Sequence, residues 1–148
     1  MDVRIERAAA SDIEDVLGLL TAHALPLDGL RDYVETTIVA RAGGRITGCA
    51  ALEMYDAGAL LRSVAVAPEV KGQGVGRQLT GAIIDLARER GVPALYLLTT
   101  TADGYFPKFG FERITRDDVP DSVKASVEFT SACPSSAVVM RKSLRDTR

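Results

Sequence analysis

Three closely spaced glycines stand where the sequence predicts a helix to begin. Gly72, Gly74 and Gly76 follow a β-rich run, and apolar residues recur at helical spacing over residues 78–90. Glycines leave backbone amides uncovered, and amides at a helix start favour a phosphate or pyrophosphate group. The segment is therefore an anion-site candidate, with a plain glycine-rich turn as the alternative.

The spacing argues against two common nucleotide-binding motifs. A Walker loop needs Gly-Lys followed by Ser or Thr at the helix start, and that pattern is absent. A dinucleotide fold places G-x-G-x-x-G in a βαβ unit near the N-terminus. Here the pattern is G-x-G-x-G, in mid-chain, after strands that read as antiparallel.

The elements that must position this turn alternate between strands and helices. A capping box formed by Ser11 and Glu14 predicts the start of the first helix. Predicted strands cover 3–7, 36–41, 45–55, 59–67, 94–99, 111–115 and 137–142, and predicted helices cover 13–23, 27–33, 78–90, 102–109 and 120–127. The order predicts an α/β (α+β) fold, a mixed sheet with helices on it, as a single domain over 1–148.

Composition narrows the class of protein. The chain has 148 residues, 47% hydrophobic and 26% charged, with a net charge of −2, which is typical of a globular domain without nucleic-acid partners. Apolar runs fall short of the roughly 20 residues that cross a bilayer, and residues 1–6 lack a signal-peptide pattern, so we expect no membrane association and a cytoplasmic location. Cys49, Cys133 and His23 are too few for a Cys/His zinc site, so no metal is expected.

Two segments carry a family resemblance. Residues 63–76 (SVAVAPEVKGQGVG) and 102–111 (ADGYFPKFGF) resemble the signatures of the GCN5-related N-acetyltransferases (GNAT), in which Arg/Gln-x-x-Gly-x-Gly/Ala follows Val-x-Pro and a short helix closes on Gly-Phe. Lys71 takes the first place of the glycine motif, a mild departure. The resemblance implies an acetyltransferase that uses acetyl-CoA, with a mostly antiparallel sheet of six to seven strands flanked by helices.

A narrower resemblance concerns the acceptor. Residues 61–66, 97–102 and 129–140 resemble small N-acetyltransferases named for arsenic-resistance clusters, and the Leu-Thr-Thr run at 98–100 also resembles N-acetylglutamate synthases. Both imply a small amino-acid-like amine, in arsenic or toxin resistance or in glutamate acetylation for arginine biosynthesis. A non-catalytic acyl-CoA sensor is the alternative from another class. Relatives often dimerise, so a homodimer is possible.

The resemblance also implies the cofactor contacts. In this fold the fourth strand splays away from the next one, its free amides meet the pantetheine arm and the acetyl oxygen, and the glycine turn holds the pyrophosphate. The cofactor-binding residues implied are Val64, Ala65, Val66, Lys71, Gly72, Gln73, Gly74, Val75, Gly76, Arg77 and Phe106. Lys71 and Arg77 would add positive charge near the phosphates.

The residues for proton transfer are less clearly marked. The family's usual tyrosine falls at Phe106, which has no hydroxyl. Tyr105 comes one position earlier and, on a helix, would point elsewhere. Tyr105 is nevertheless the candidate catalytic acid, and a hydroxyl within Thr99–Thr101 or a water could also substitute. Glu53, or Asp56 after it, is the candidate base acting through water, with solvated strand-end residues as the alternative.

One charge stands out in an apolar strand. Arg62 interrupts Leu60-Leu61 and Val64, where a charge is costly unless it is paired or faces a cleft. It could bind an acceptor carboxylate as a bidentate fork, and an internal salt bridge to Glu53 or Asp56 is the alternative. Thr99 and Thr100 complete the predicted acceptor contacts.

Overall fold

A computed structural model of the chain describes residues 3–100, 104–126, 129 and 137–144. Seven strands form one mixed sheet in the order β1-β2-β3-β4-β5-β7-β6. The strands are β1 (Val3–Arg7), β2 (Thr37–Ala42), β3 (Arg45–Tyr55), β4 (Gly58–Val66), β5 (Ala94–Thr99), β6 (Glu112–Ile114) and β7 (Val138–Ser143). Every pairing is antiparallel except β4 with β5, so the expected mixed, mostly antiparallel sheet is confirmed.

One helix covers each face of the central strands. Along β3, Ala50 and Leu52 pack in the cluster that contains Leu79 of α2 (Val75–Glu89). Cys49 and Ala51 instead pack with Leu20 of α1 (Ile13–Ala22) on the opposite face. This period of two is what a strand buried on both sides requires, because successive side chains point to opposite faces.

Shorter helical segments connect these elements. A 3₁₀ turn over Leu30–Thr36 precedes β2, another over Phe106–Phe109 precedes β6, and the one-turn helix α3 covers Asp121–Lys124. Among the described residues, no helix combines the length and the apolar character that a bilayer crossing requires.

The first helix begins at Ile13 as predicted, but the capping box expected from Ser11 and Glu14 does not form. The carboxylate of Asp12, rather than the Ser11 side chain, satisfies a backbone amide, because its Oδ2 accepts from the Ala9 N–H at 2.7 Å. The same oxygen accepts from Arg41 of β2 at 2.6 Å, and that bond is the main cause that lowers the pKa of Asp12. Glu14 is paired instead with Arg31, at 2.6 Å. The Asp12 carboxylate thus closes the 3₁₀ turn Ala10–Asp12 that precedes α1 and ties this turn to β2.

Candidate active site

The opening between β4 and β5 is the feature around which the site is built. The two strands pair only at Ala59–Leu95 and Leu60–Tyr96, and no ladder partner joins them farther along. Beside a register shift in the β3–β4 pairing, Ser63 adopts a left-handed conformation (φ 62°). This irregularity accompanies the divergence of the strands, so the expected splay of the fourth strand is confirmed.

Backbone groups of β4 face this opening. The Ala67 N–H donates to Thr47 on the β3 side at 2.7 Å. Because alternate residues of a strand direct their backbone groups to opposite sides, the N–H groups of Val66 and Val64 point away from β3, toward the diverging β5 edge, whereas the Val66 carbonyl already accepts from His23. These are the two residues that the sequence predicts to contact the pantetheine arm.

A cavity of about 720 Å³ occupies the opening. It is bordered by β4, β5, the turn before α2, and the loop after α1. Its described lining consists of Ala24, Leu25, Pro26, Asp28, Leu61, Arg62, Ser63, Val64, Ala65, Val66, Lys71, Gly76, Leu97, Leu98, Thr99, Thr100, Tyr105, Phe106 and Ala137. The sequence-predicted residues outside this lining are Glu53, Asp56, Gly72, Gln73, Gly74, Val75 and Arg77.

The open N-terminus of α2 lies at one end of the cavity. Gly72 (φ 85°) and Gly74 (φ 77°) turn the chain into the helix in a conformation that favours glycine. Gln78 donates the first α-helical bond, to the Gly74 carbonyl at 3.0 Å. The amides from Gly74 to Arg77 therefore have no acceptor within the helix, and they carry the positive end of its dipole.

Positive side chains accompany these amides. Lys71 lines the cavity, and Arg77 in the first turn of α2 is exposed. Gly76 lies on the lining because it has no side chain: a Cβ there would lie 3.3 Å from the Tyr105 hydroxyl and 3.5 Å from a methyl of Val66. The arrangement fits a pyrophosphate group, which needs uncovered amides, a close backbone approach and cations.

Two aromatic residues border the same end. Tyr105 and Phe106 both line the cavity, so the expectation that Tyr105 points elsewhere is wrong. The helix expected over 102–109 is a 3₁₀ turn that begins only at Phe106, so helical spacing does not separate the two side chains. The Tyr105 ring lies 5.2 Å from that of Phe106 and 5.3 Å from that of Phe109. Its hydroxyl is buried and has no hydrogen-bond partner.

A buried ion pair lies at the other end. The side chains of Arg62 and Glu53 are 0% and 1% exposed, and their Nη1 and Oε2 atoms are 2.6 Å apart. The salt bridge left open as the alternative for Arg62 is therefore present. Glu53 lies within the sheet and off the cavity lining, which separates it from any solute there.

The Arg62 guanidinium also holds the loop after α1. It donates to the carbonyls of Asp28 at 2.6 Å and Pro26 at 3.1 Å, and its Nε donates to the Ser63 hydroxyl at 3.0 Å. Pro26 and Asp28 both line the cavity. Arg62 thus holds this wall of the cavity in place through the backbone carbonyls of the loop.

Two tyrosines complete this network. The Tyr55 hydroxyl donates to the second carboxylate oxygen of Glu53, and Tyr33 lies 3.5 Å from the same hydroxyl. Burial, followed by the bonds to Glu53 and Tyr33, raises the pKa of Tyr55 far above its usual range. Both carboxylate oxygens of Glu53 therefore have donors, and Tyr55 remains neutral at ordinary pH.

The loop wall is a part of the site that the sequence analysis missed. Residues 24–26 and 28 line the cavity. In the sequence, this segment shows only the end of a predicted helix and a proline, and neither indicates a binding site. His23 anchors the loop: Nδ1 lies 2.9 Å from the Leu19 carbonyl and Nε2 lies 2.8 Å from the Val66 carbonyl. A carbonyl oxygen only accepts, so both bonds form together when each ring nitrogen carries a proton. Through the Leu19 contact, His23 caps the C-terminal end of α1.

The thiols add no chemistry to the described site. Cys49 is buried in β3, donates to the Ser63 carbonyl at 3.1 Å, and burial raises its pKa to about 12. Cys133 and Thr101 lie outside the described residues. Within the described part of the chain, no three His, Cys, Asp or Glu side chains meet as metal ligands would.

The fold and this site together define a class of acetyltransferase domain. The family described as "Acetyltransferase (GNAT) domain" matches residues 34–113, which include β4, the glycine turn and α2. The chain therefore belongs to the GNAT acetyltransferase family.

Individual relatives sharpen this assignment. An amino-acid acetyltransferase of Neisseria meningitidis is 31% identical over an alignment of 130 residues that covers 81% of this chain and 30% of that protein. The chain thus spans about a third or less of the length of such relatives. An N-acetylglutamate synthase from Neisseria gonorrhoeae, complexed with coenzyme A and N-acetyl-glutamate, superposes with a TM-score of 0.83 at 24% identity, covering 99% of this chain and 36% of that one.

A relative of similar length has the same fold. Rv2747 from Mycobacterium tuberculosis, in complex with CoA and NLQ, superposes with a TM-score of 0.82 at 23% identity, covering 96% of this chain and 99% of that one. At these identities the structural likeness establishes the fold alone.

Proposed function

We infer that this chain transfers an acetyl group from acetyl-CoA to the amine of a small, amino-acid-like acceptor. The observation that carries this proposal is the continuity of one cavity. It runs from the uncovered amides at the start of α2, along the open backbone edge of β4, to the wall formed by the 24–28 loop. A ligand with a pyrophosphate at one end and an extended amide-containing arm fits such a path.

Acetyl transfer requires only two reactants, acetyl-CoA and the acceptor amine. Bound acetyl-CoA supplies the acyl group as a thioester. The acceptor nitrogen attacks the thioester carbonyl, a C–N bond forms and the C–S bond breaks. The amine loses one proton and the departing thiolate gains one, so the charges balance. The amides of Val64 and Val66 at the open edge are the groups that we place against the oxygen that gains negative charge.

A small amine is favoured over a protein substrate by the shape of the acceptor end. Arg62 anchors two carbonyls of the wall, and Thr99 and Thr100 also line the cavity. The amino-acid acetyltransferases among the relatives support the same choice. Acetylglutamate formation and acetylation of an arsenic-containing or other toxic amino acid are both compatible with such an acceptor.

As the base that removes the amine proton, we propose Asp28 rather than Glu53. Asp28 is the described lining residue that carries a carboxylate, whereas both Glu53 oxygens already accept buried bonds. A base must lie within reach of the proton, directly or through one water. Glu53 then acts as a positioning residue, because it holds the Arg62 guanidinium that fixes the loop.

We assign Arg62 to the acceptor end because its guanidinium holds the loop that forms the wall there. Direct binding of an acceptor carboxylate would require the guanidinium to release a carbonyl of Pro26 or Asp28. Whether Arg62 binds the acceptor directly or only holds the loop, changing it should weaken acceptor binding more than acetyl-CoA binding.

The test is release of free coenzyme A with a panel of amines. Suitable acceptors are glutamate, glutamine, other amino acids, arsinic and phosphinic glutamate analogues, a polyamine and a lysine peptide. Each product is checked by mass for one added acetyl group. Turnover with one of the amino-acid-like acceptors, and none with the peptide, is the expected result.

Two other outcomes would revise the proposal. Tight acetyl-CoA binding without turnover on any amine would favour an acyl-CoA sensor, the alternative suggested by Phe106. Turnover on the lysine peptide alone would assign the chain to protein acetylation. Preference for the arsinic analogue over glutamate would support a role in arsenic resistance.

A further inference from the structure

One buried hydroxyl at the cofactor end has no partner. Within the described residues, the Tyr105 and Ser122 hydroxyls are the buried side-chain oxygens without a hydrogen bond. A buried polar group without a partner is destabilising, and such groups are uncommon in folded proteins. Tyr105 lines the cavity, whereas Ser122 lies on α3 away from that lining. Tyr105 is thus the one of these two residues that borders the cavity.

The position of the Tyr105 hydroxyl indicates its ligand. The oxygen lies 3.3 Å from where a Cβ of Gly76 would stand. Helical Cβ atoms tilt toward the N-terminus, so this point lies toward the open end of α2. The hydroxyl therefore lies beside the first turn of α2, whose amides preceding Gln78 have no acceptor within the helix. The partly buried ring, packed against Phe106 and Phe109, fixes the hydroxyl there at little entropic cost.

We propose that the Tyr105 hydroxyl donates a hydrogen bond to a phosphate oxygen of coenzyme A at the N-terminus of α2. This proposal rests on the proposed function, since it assumes acetyl-CoA as the ligand. It makes Tyr105 a cofactor-binding residue rather than the proton donor to the departing thiolate. A hydroxyl donor suits this place because it adds a directed bond to the amides and to the charge of Lys71.

The experiment compares Tyr105→Phe with Ser122→Ala by calorimetric titration with coenzyme A. Both changes remove one buried, unpartnered hydroxyl and keep the remaining packing. Both variants should therefore unfold at or above the wild-type midpoint when no ligand is added. Only Tyr105→Phe should weaken coenzyme A binding, by about tenfold or more, as expected for a bond to a charged acceptor.

Two ligand fragments locate the bond. Adenosine 3′-phosphate 5′-diphosphate carries the diphosphate without the arm, and pantetheine carries the arm without phosphate. Tyr105→Phe should weaken binding of the first fragment and leave the second unchanged. A loss confined to pantetheine would overturn the phosphate assignment.

The kinetic readout separates binding from proton donation. Weaker acetyl-CoA binding with kcat preserved at saturation is the expected result. A fall in kcat at unchanged coenzyme A affinity would overturn the proposal and return Tyr105 to the proton-donor role. If the wild-type chain itself fails to bind coenzyme A, the proposed function fails; if it binds and Tyr105→Phe binds equally well, only this inference fails.

Discussion

The two ends of the cavity are made from different kinds of groups. At the α2 end, glycines expose backbone amides, and exposed cations stand nearby. At the acceptor end, the Arg62–Glu53 pair is buried and bonded to the carbonyls of the loop wall. The first end depends on the absence of side chains and the second on side chains that meet across strands. We therefore expect changes at the first to alter ligand binding and changes at the second to alter stability and acceptor use.

The largest expected effect is on stability, from Arg62→Ala. Removing the guanidinium leaves the Glu53 carboxylate buried without its cation, which costs about 3–5 kcal/mol in comparable buried pairs. Urea unfolding measures the change, and Arg113→Ala on exposed β6 is the control, expected within about 0.5 kcal/mol of wild type.

A double variant tests the cause. Arg62→Met together with Glu53→Leu leaves no unpaired buried charge, so it should recover much of the loss. A loss below about 1 kcal/mol for Arg62→Ala alone would show that the pair is not the structural element described here.

The next effect is on turnover, from Asp28→Asn. Loss of a general base lowers kcat by about a hundredfold or more, while the KM for acetyl-CoA should stay near the wild-type value. Asp32→Asn is the matched control, because Asp32 is exposed nearby and lies off the lining. Equal rates for the two variants would remove Asp28 from the proposed chemistry.

A smaller effect, on binding alone, is expected from Gly76→Ala. The added methyl group would enter the space between the Tyr105 hydroxyl and Val66, so coenzyme A should bind about tenfold more weakly, or ~1.4 kcal/mol. Gly81→Ala in the same helix meets nothing within 4 Å and should gain about 0.5–1 kcal/mol of stability without changing affinity. Similar affinities for both variants would contradict a phosphate site at Gly76.

The smallest effect appears only at alkaline pH. The pKa of Tyr55 is raised in the folded chain, so both states hold the proton below about pH 10. Above that pH the unfolded chain releases it first, and the free energy of unfolding falls as pH rises. Tyr55→Phe should show a shallower decline between about pH 10 and 11 in urea unfolding series, compared with Tyr33→Phe. Identical slopes for wild type and Tyr55→Phe would exclude this linkage.

The same contrast explains what the sequence could predict. The glycine turn was recognisable because a backbone site requires a local spacing of small residues, and α2 begins directly behind it. The bounds of β1, β3 and β5 are confirmed as predicted, since their alternation or apolar runs reflect burial in the sheet. The remaining strands were predicted from β-rich runs, and their bounds differ from the observed ones by one residue at each end.

The acceptor end was less predictable because its contacts join residues far apart in the chain. Arg62 reaches Asp28 and Pro26, more than thirty positions away, and no periodicity marks such a meeting. The start of the first helix shows the same limit: Glu14 pairs with Arg31 and Asp12 pairs with Arg41 on β2, and neither distant partner could be predicted from the local Ser11–Glu14 pattern. Acceptor identity depends on these contacts, so the sequence supports only its chemical class.

The most direct test of the account is an experimental structure of the chain with coenzyme A. We predict that the diphosphate contacts the amides at the start of α2, that the pantetheine arm runs along Val64 and Val66 in the β4–β5 opening, and that the Arg62–Glu53 pair remains closed. Coenzyme A bound elsewhere, or a β4–β5 ladder that closes over the cavity, would contradict it.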